Sequence, residues 1–267
     1  MNRGLGYLED TSDTRDRPFI GMGITPREGT ANPPIESGDL LDRFVTSIYD
    51  QGASQGCVGF STGQAIRTRW GLRAFEANRS NAQICQPSPS FIWWLARQTH
   101  GAEGSNSPTY IREAFKRIRA IGICPESEYP SDDAFATFAD KPSPEAFRAS
   151  FDRRSPTAYY RIDGTDSEKI RGIKIAIARG YPVVFGASIS ESFLNWDGKG
   201  AYDDLGNAIV GGHAMVATGY SEDGVRGPNS WGQWGNNGWF LFSWRFAAER
   251  FRDCWAVDLP PIYEVTQ

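Results

Sequence analysis

Four side chains in this sequence, set in three short segments, have the types and order needed for covalent acyl transfer. Cys57 lies six positions after Gln51 in YDQGASQGCVGF, His213 sits in GGHAMVATGY, and Asn229 opens NSWGQWGNNGW. A thiol attacks a carbonyl carbon well only as the thiolate, and that anion is favoured at a helix N-terminus and beside an imidazolium. The sequence has two histidines, His100 and His213, so an imidazole acting as general base must be one of them. His100 ends a helical run in THGAEG and has no partner in its surroundings. His213 precedes the apolar stretch Ala-Met-Val-Ala, and Asn229 can hold its ring in one tautomer through the side-chain oxygen.

The elements that must position these groups follow from patterning. Breakers thin out from Gly56 to about Phe75, which predicts a helix starting at or near the cysteine, with Val58, Ala65 and Ile66 toward a core. Ser88-Pro89-Ser90 carries start signals for a second helix through Phe91 and Leu95, with Trp93 and Trp94 as core packing. Ile111, Ala114, Phe115 and Ile118 share one face of a third. Residues 125 to 156 are rich in Pro, Ser, Asp and Lys around a short helix and read as a connection. Beyond it the period changes to that of strands, at 159–162, 182–187, 213–219, 238–242 and 254–259. One helix interrupts them, opened by the capping box Thr165-Asp166-Ser167-Glu168 and closed by Gly180. A helical lobe followed by an antiparallel sheet lobe is an α+β arrangement.

At these residues the chain resembles the papain-like cysteine peptidases. The resemblance rests on Gln51-Gly52 before Cys57, on Gly212-His213-Ala214 and on Asn229-Ser230-Trp231-Gly232. Weaker likeness runs through Ser88-Pro89-Ser90-Phe91, Gly122-Ile123-Cys124-Pro125-Glu126 and Tyr129-Pro130, covering roughly 45 to 245. It implies a two-lobed α+β fold with the site in the cleft between lobes, the nucleophile on a helix of the first and the imidazole on the second. It implies Cys57 as nucleophile, His213 as acid and base, Asn229 as the group orienting His213, and Gln51 with the Cys57 backbone N–H as the oxyanion hole. Trp231 would cover the Asn–His hydrogen bond, and Gly104 would line the substrate cleft. Three departures stand out. Ser54 replaces the usual disulfide cysteine, Val58 replaces the aromatic after the nucleophile, and Gly232-Gln233-Trp234 is one residue shorter than usual.

The expected activity is a thiol-dependent peptidase forming an acyl-enzyme on Cys57. The alternatives are a catalytically silent binding or assembly module of the same fold, or an isopeptidase or transferase using the same thiol. The partner implied is a peptide or protein substrate, with no cofactor and no metal. Four scattered cysteines do not form a disulfide scaffold or a zinc pattern, so Cys85, Cys124 and Cys254 read as small core hydrophobes. A net charge of -4 gives no electrostatic case for nucleic acid or for an acidic membrane surface. No apolar run approaches the roughly 20 residues that cross a bilayer, and the N-terminus lacks a secretory h-region, so the expected compartment is the cytoplasm.

Three segments are expected within one catalytic unit: 1–40 as an N-terminal arm or short pro-like segment, 41–156 as the helical lobe, and 157–267 as the β-rich lobe. The arm is expected to be structural, with partial occlusion of the cleft as its lesser role. Glu191 to Asn207 is the loop expected to close one end of the cleft in an exopeptidase.

Overall fold

The computed structural model describes residues 3–19, 38–80, 84–206 and 208–262. The helical lobe contains α1 (Cys57–Glu76), α2 (Pro89–Gln98), α3 (Ile111–Ile121) and α4 (Pro144–Asp152). Two short parallel strands, β1 (Tyr7–Leu8) and β2 (Thr109–Tyr110), pair beside it. The sheet lobe has β3 (Ala158–Ile162), β4 (Val183–Ser190), β5 (Ile209–Ala217) and β9 (Phe251–Asp258) in the antiparallel order β3-β9-β4-β5. A second antiparallel sheet joins β6 (Gly219–Tyr220), β7 (Gly224–Pro228) and β8 (Trp239–Ser243). Four helices flank these strands: α5 (Asp166–Ala178), α6 (Glu191–Leu194), α7 (Trp234–Asn237) and α8 (Trp244–Arg250).

Capping chemistry sets several boundaries. Ser88 Oγ accepts the Phe91 N–H with Pro89 at the first helical position, and Ser143 does the same for Ala146 ahead of Pro144. Thr165 and Glu168 form the reciprocal capping box of α5, as the spacing predicts. By contrast α1 starts after Gly56 with no side-chain cap, so its first N–H groups are left to point at Cys57 and at whatever lies above it. α1 is buried almost all round. It crosses α2 at Gly59, where an added Cβ would stand 2.4 Å from the Pro89 carbonyl oxygen.

The four-stranded sheet separates two cores because side chains alternate along a strand. Val184, Ala214, Val216, Trp255 and Val257 face α1 and the helical lobe, while Val183, Phe185, Met215, Ala217, Cys254 and Ala256 face the second sheet and its aromatics. The lobes also exchange chain ends. Leu41 and Phe44 pack into the sheet-lobe core and Gly38 pairs with Tyr220, whereas Leu259 packs with the helical lobe and the Ile262 carbonyl accepts the Cys85 N–H. Lobe membership thus follows the expected segments only in the middle of the chain.

The four cysteines are buried and form no disulfide. Among the described residues no helix is long and apolar enough to cross a membrane. The part of the arm from 20 to 37 and residue 207 of the 191–207 loop lie outside the described residues.

Candidate active site

Strand β5 and the N-terminal end of α1 meet at Cys57. His213 is mid-strand in β5, opposite Ala187 of β4, rather than at a strand entrance, because β5 begins at Ile209. The next residue, Ala214, donates its N–H to the Cys57 Sγ at 3.3 Å, which fixes the imidazole-bearing strand directly over the helix start. His213 Nε2 donates to Asn229 Oδ1 at 2.8 Å, so Nδ1 is the nitrogen free of hydrogen bonds among the described residues. A neutral ring protonated on Nε2 leaves Nδ1 as an acceptor, the form a general base requires.

Ser230 organises the two carboxamides and is a residue that sequence reading quoted but gave no role. Its N–H donates to Asn229 Oδ1 at 2.8 Å, its hydroxyl donates to Gln51 Oε1 at 2.6 Å, and its carbonyl accepts the Gln51 N–H at 2.8 Å. With Oε1 held by the hydroxyl, the Gln51 amide must turn its NH2 toward the cleft. Asp50 does not compete for that amide, because it accepts the N–H of Gly52 at 3.0 Å across a tight turn in which Gly52 has φ +56°. Trp231 stacks on His213 with centroids 4.3 Å apart and planes 19° from parallel. The indole therefore covers one face of the imidazole.

Of the arm, residues 3–10 lie across this site, the occluding position given above as its lesser role. Gln51 Nε2 donates to the Gly4 carbonyl at 3.1 Å as well as to the Ser54 carbonyl at 2.7 Å, and the Gly4 N–H donates to the Gly52 carbonyl at 3.2 Å. The Gly6 carbonyl accepts the Thr109 N–H at 3.0 Å, and the Gly6 N–H is close enough to Cys57 to favour its anion. The contact is backbone on backbone: a Cβ on Gly4 would stand 1.8 Å from the Ser54 carbonyl oxygen, and one on Gly6 1.8 Å from that of Gln55. Arg3 reaches Trp231 and Trp234, 5.4 and 5.7 Å from their ring centroids, and donates to the Leu194 carbonyl. Farther along, Asp10 and Asp16 pair with Arg112, and Asp16 also with Arg161.

Covered in this way, Cys57 and His213 are both 0% exposed. Burial pushes the thiol up to about 11 and the imidazole down to about 4, with the Asn229 hydrogen bond opposing the latter. Burial under the arm therefore disfavours the charged thiolate–imidazolium pair relative to an open site. Gly104 is not brought to the site. It is exposed in a turn where an added Cβ would meet nothing within 4 Å, and the backbone that pairs with the arm is that of Thr109 and Tyr110.

The architecture, a helical lobe and an antiparallel sheet lobe with Cys57 at the head of the helix between them, is the two-lobed papain-like α+β fold. Residues 36–250 match the family model described as papain family cysteine protease, and the chain belongs to that family. An uncharacterized peptidase C1-like protein of Acanthamoeba polyphaga mimivirus is 30% identical over 97% of this chain and 88% of its own length. Among solved structures, xylellain, a cysteine protease from Xylella fastidiosa, superposes with a TM-score of 0.75 at 26% identity, covering 98% of this chain and 97% of that one. Digestive procathepsin L 3 of Tenebrio molitor shares the fold with a TM-score of 0.64 at 19% identity, covering 97% and 76%.

Proposed function

We propose that this chain is a thiol peptidase held latent by its own N-terminal strand. The observation that carries this reading is that the Gln51 amide donates to a peptide carbonyl, that of Gly4, with a second peptide unit at Gly6 lying against the thiol. The site thus already holds an extended backbone. With the arm displaced, water enters, the penalty on charge falls, and Cys57 can pass its proton to His213 Nδ1. Sγ then adds to the scissile carbonyl carbon while the carbonyl oxygen gathers negative charge between the Gln51 amide and the Cys57 backbone N–H. His213 returns the proton to the departing amine as the C–N bond breaks, leaving a thioester. It next takes a proton from water, whose hydroxide equivalent attacks the thioester, and the acid product and the thiol are released. Fixed donors at the developing oxyanion stabilise it by roughly 3 kcal/mol.

The test is intact-mass labelling under reducing conditions with an epoxide that alkylates activated thiols. It compares the wild type, the full chain carrying Gly4→Ala and Gly6→Ala, and that chain with Cys57→Ala or His213→Ala. Slow labelling of the wild type, fast single labelling of the glycine variant and none after either catalytic substitution is the expected pattern. Peptide hydrolysis should follow labelling. No labelling of the folded glycine variant would favour the silent module, and labelled enzyme that turns over peptides only with added amine would favour a transferase.

A further inference from the structure

Tyr7 is a buried arm residue, and the enclosure of its side chain is built by the sheet lobe. The ring rests on two glycines. A Cβ on Gly186 of β4 would stand 2.0 Å from the ring atom Cζ, and one on Gly212 of β5 would stand 2.9 Å from Cδ1. Any larger residue at either position would fill the volume the ring now takes. At the end of this slot the Tyr7 hydroxyl donates to Asp253 Oδ2 at 2.5 Å, and the same oxygen accepts the Asp10 N–H at 2.5 Å. The other carboxylate oxygen, Oδ1, accepts from the Arg161 guanidinium at 2.9 Å. The Asp253 side chain is wholly buried. The slot adjoins the reacting groups, since Gly212 immediately precedes His213 and Tyr7 immediately follows the residue lying against the thiol.

From this geometry we infer that the slot filled by Tyr7 is a side-chain subsite of the peptide cleft that selects tyrosine, with Asp253 as the selecting residue. The word substrate in this inference rests on the peptidase reading above; the pocket's preference does not. When the arm leaves, Asp253 Oδ2 loses both of its donors while Oδ1 keeps Arg161, so the carboxylate charge is already compensated and one acceptor stands open. A phenol supplies a neutral donor of the right reach. Phenylalanine fits over the glycines but expels water from Oδ2 and leaves it unpaired, a cost of about 1–3 kcal/mol, or roughly five- to 150-fold in affinity. An arginine or lysine side chain would set a second cation beside Arg161 against one carboxylate, which is disfavoured by like-charge repulsion in a buried setting. The two glycines select for a flat ring and the acid selects for its hydroxyl.

The experiment uses the full chain carrying Gly4→Ala and Gly6→Ala, in which the arm cannot reseat. Binding of a fluorescent peptide with the sequence of residues 3–10 is measured alongside its Tyr→Phe and Tyr→Arg versions, together with hydrolysis of peptide pairs differing only in that residue. The tyrosine peptide should bind at least tenfold more tightly than either variant, and addition of Asp253→Ala should bring the tyrosine and phenylalanine peptides to equal affinity. The comparison in the chain that retains Asp253 stands even if Asp253→Ala does not fold. Equal binding of the three peptides, tighter binding of the arginine version, or no binding of any of them overturns the inference. Tyrosine-selective binding without turnover would leave the pocket assignment standing and remove the peptidase reading. Turnover without tyrosine preference would do the reverse.

Discussion

The side-chain amide of Gln51 donates a 3.1 Å hydrogen bond to the carbonyl oxygen of Gly4, forty-seven positions earlier in the same chain. One donor therefore serves two purposes: it grips the covering strand, and in the open site it would face the oxygen of an attacked carbonyl. The same amide also donates to the Ser54 carbonyl at 2.7 Å, so its position does not depend on the arm.

That double use gives Gln51→Ala opposite effects on two readouts. Epoxide labelling of Cys57 in the otherwise intact chain should become faster, because the arm loses a buried hydrogen bond of about 1 kcal/mol. In the chain opened by Gly4→Ala and Gly6→Ala, the same substitution should lower kcat by about 10² to 10³. Parallel changes in the two readouts would contradict the assignment.

Ser230 is expected to act through Gln51. Without the hydroxyl that holds Oε1 at 2.6 Å, the amide is free to flip and present oxygen to oxygen. In the opened chain Ser230→Ala should reduce kcat by about tenfold with little change in KM, in line with loss of one orienting hydrogen bond. Ser230→Thr, which keeps the hydroxyl, should restore most of the rate. A rise in KM alone would point to a merely structural part for the residue.

The arm should hold less firmly as pH rises. Asp10 is buried beside Asp253, and desolvation pushes its carboxyl up to about 7 although Arg112 and Arg161 pull the other way. A solvated arm would release that proton near pH 4. The docked form thus binds a proton that the released form gives up, so docking is favoured at low pH and weakens between about pH 4 and about 7. The ratio of Cys57 labelling rates, wild type over Asp10→Asn, cancels the thiol's own titration. It should climb over that window and level off above it, and a flat ratio would rule out Asp10 as the group responsible.

Stability of the helical lobe should depend on the Ser88 hydroxyl, which accepts the Phe91 N–H at 3.0 Å and donates to the Tyr129 carbonyl at 2.6 Å. Ser88→Ala should lower the free energy of unfolding by about 1–2 kcal/mol in a denaturant titration. Ser88→Asn should recover the cap but not the second bond.

Much of the site could be read from the sequence because its chemistry restricts residue type. A thiol, an imidazole and two carboxamides at fixed order have few other reasons to coincide, and the capping residues of α2 and α5 name themselves by their spacing. β7, with the sequence GVRGP, was not legible, since its glycines and proline read as breakers and only pairing with β8 makes it a strand. Nor was the arm. Gly4 and Gly6 look like flexible punctuation, yet what they provide is close backbone approach to Ser54 and Gln55, a property of two segments fifty residues apart that no local pattern records. Gly104 was chosen for the same property and lacks it, because smallness in a sequence does not say what comes near.

The exchanged chain ends set how the two lobes can be opened. Residues 38–44 are clasped by the sheet lobe, and the Ile262 carbonyl is tied to Cys85 in the helical lobe, so each half carries a belt belonging to the other. Swinging the halves apart would tear both belts out of packed interiors. The strand in the groove is therefore expected to leave by peeling from one end, like tape from a slot of constant width, and the tension that holds it is set residue by residue along its length.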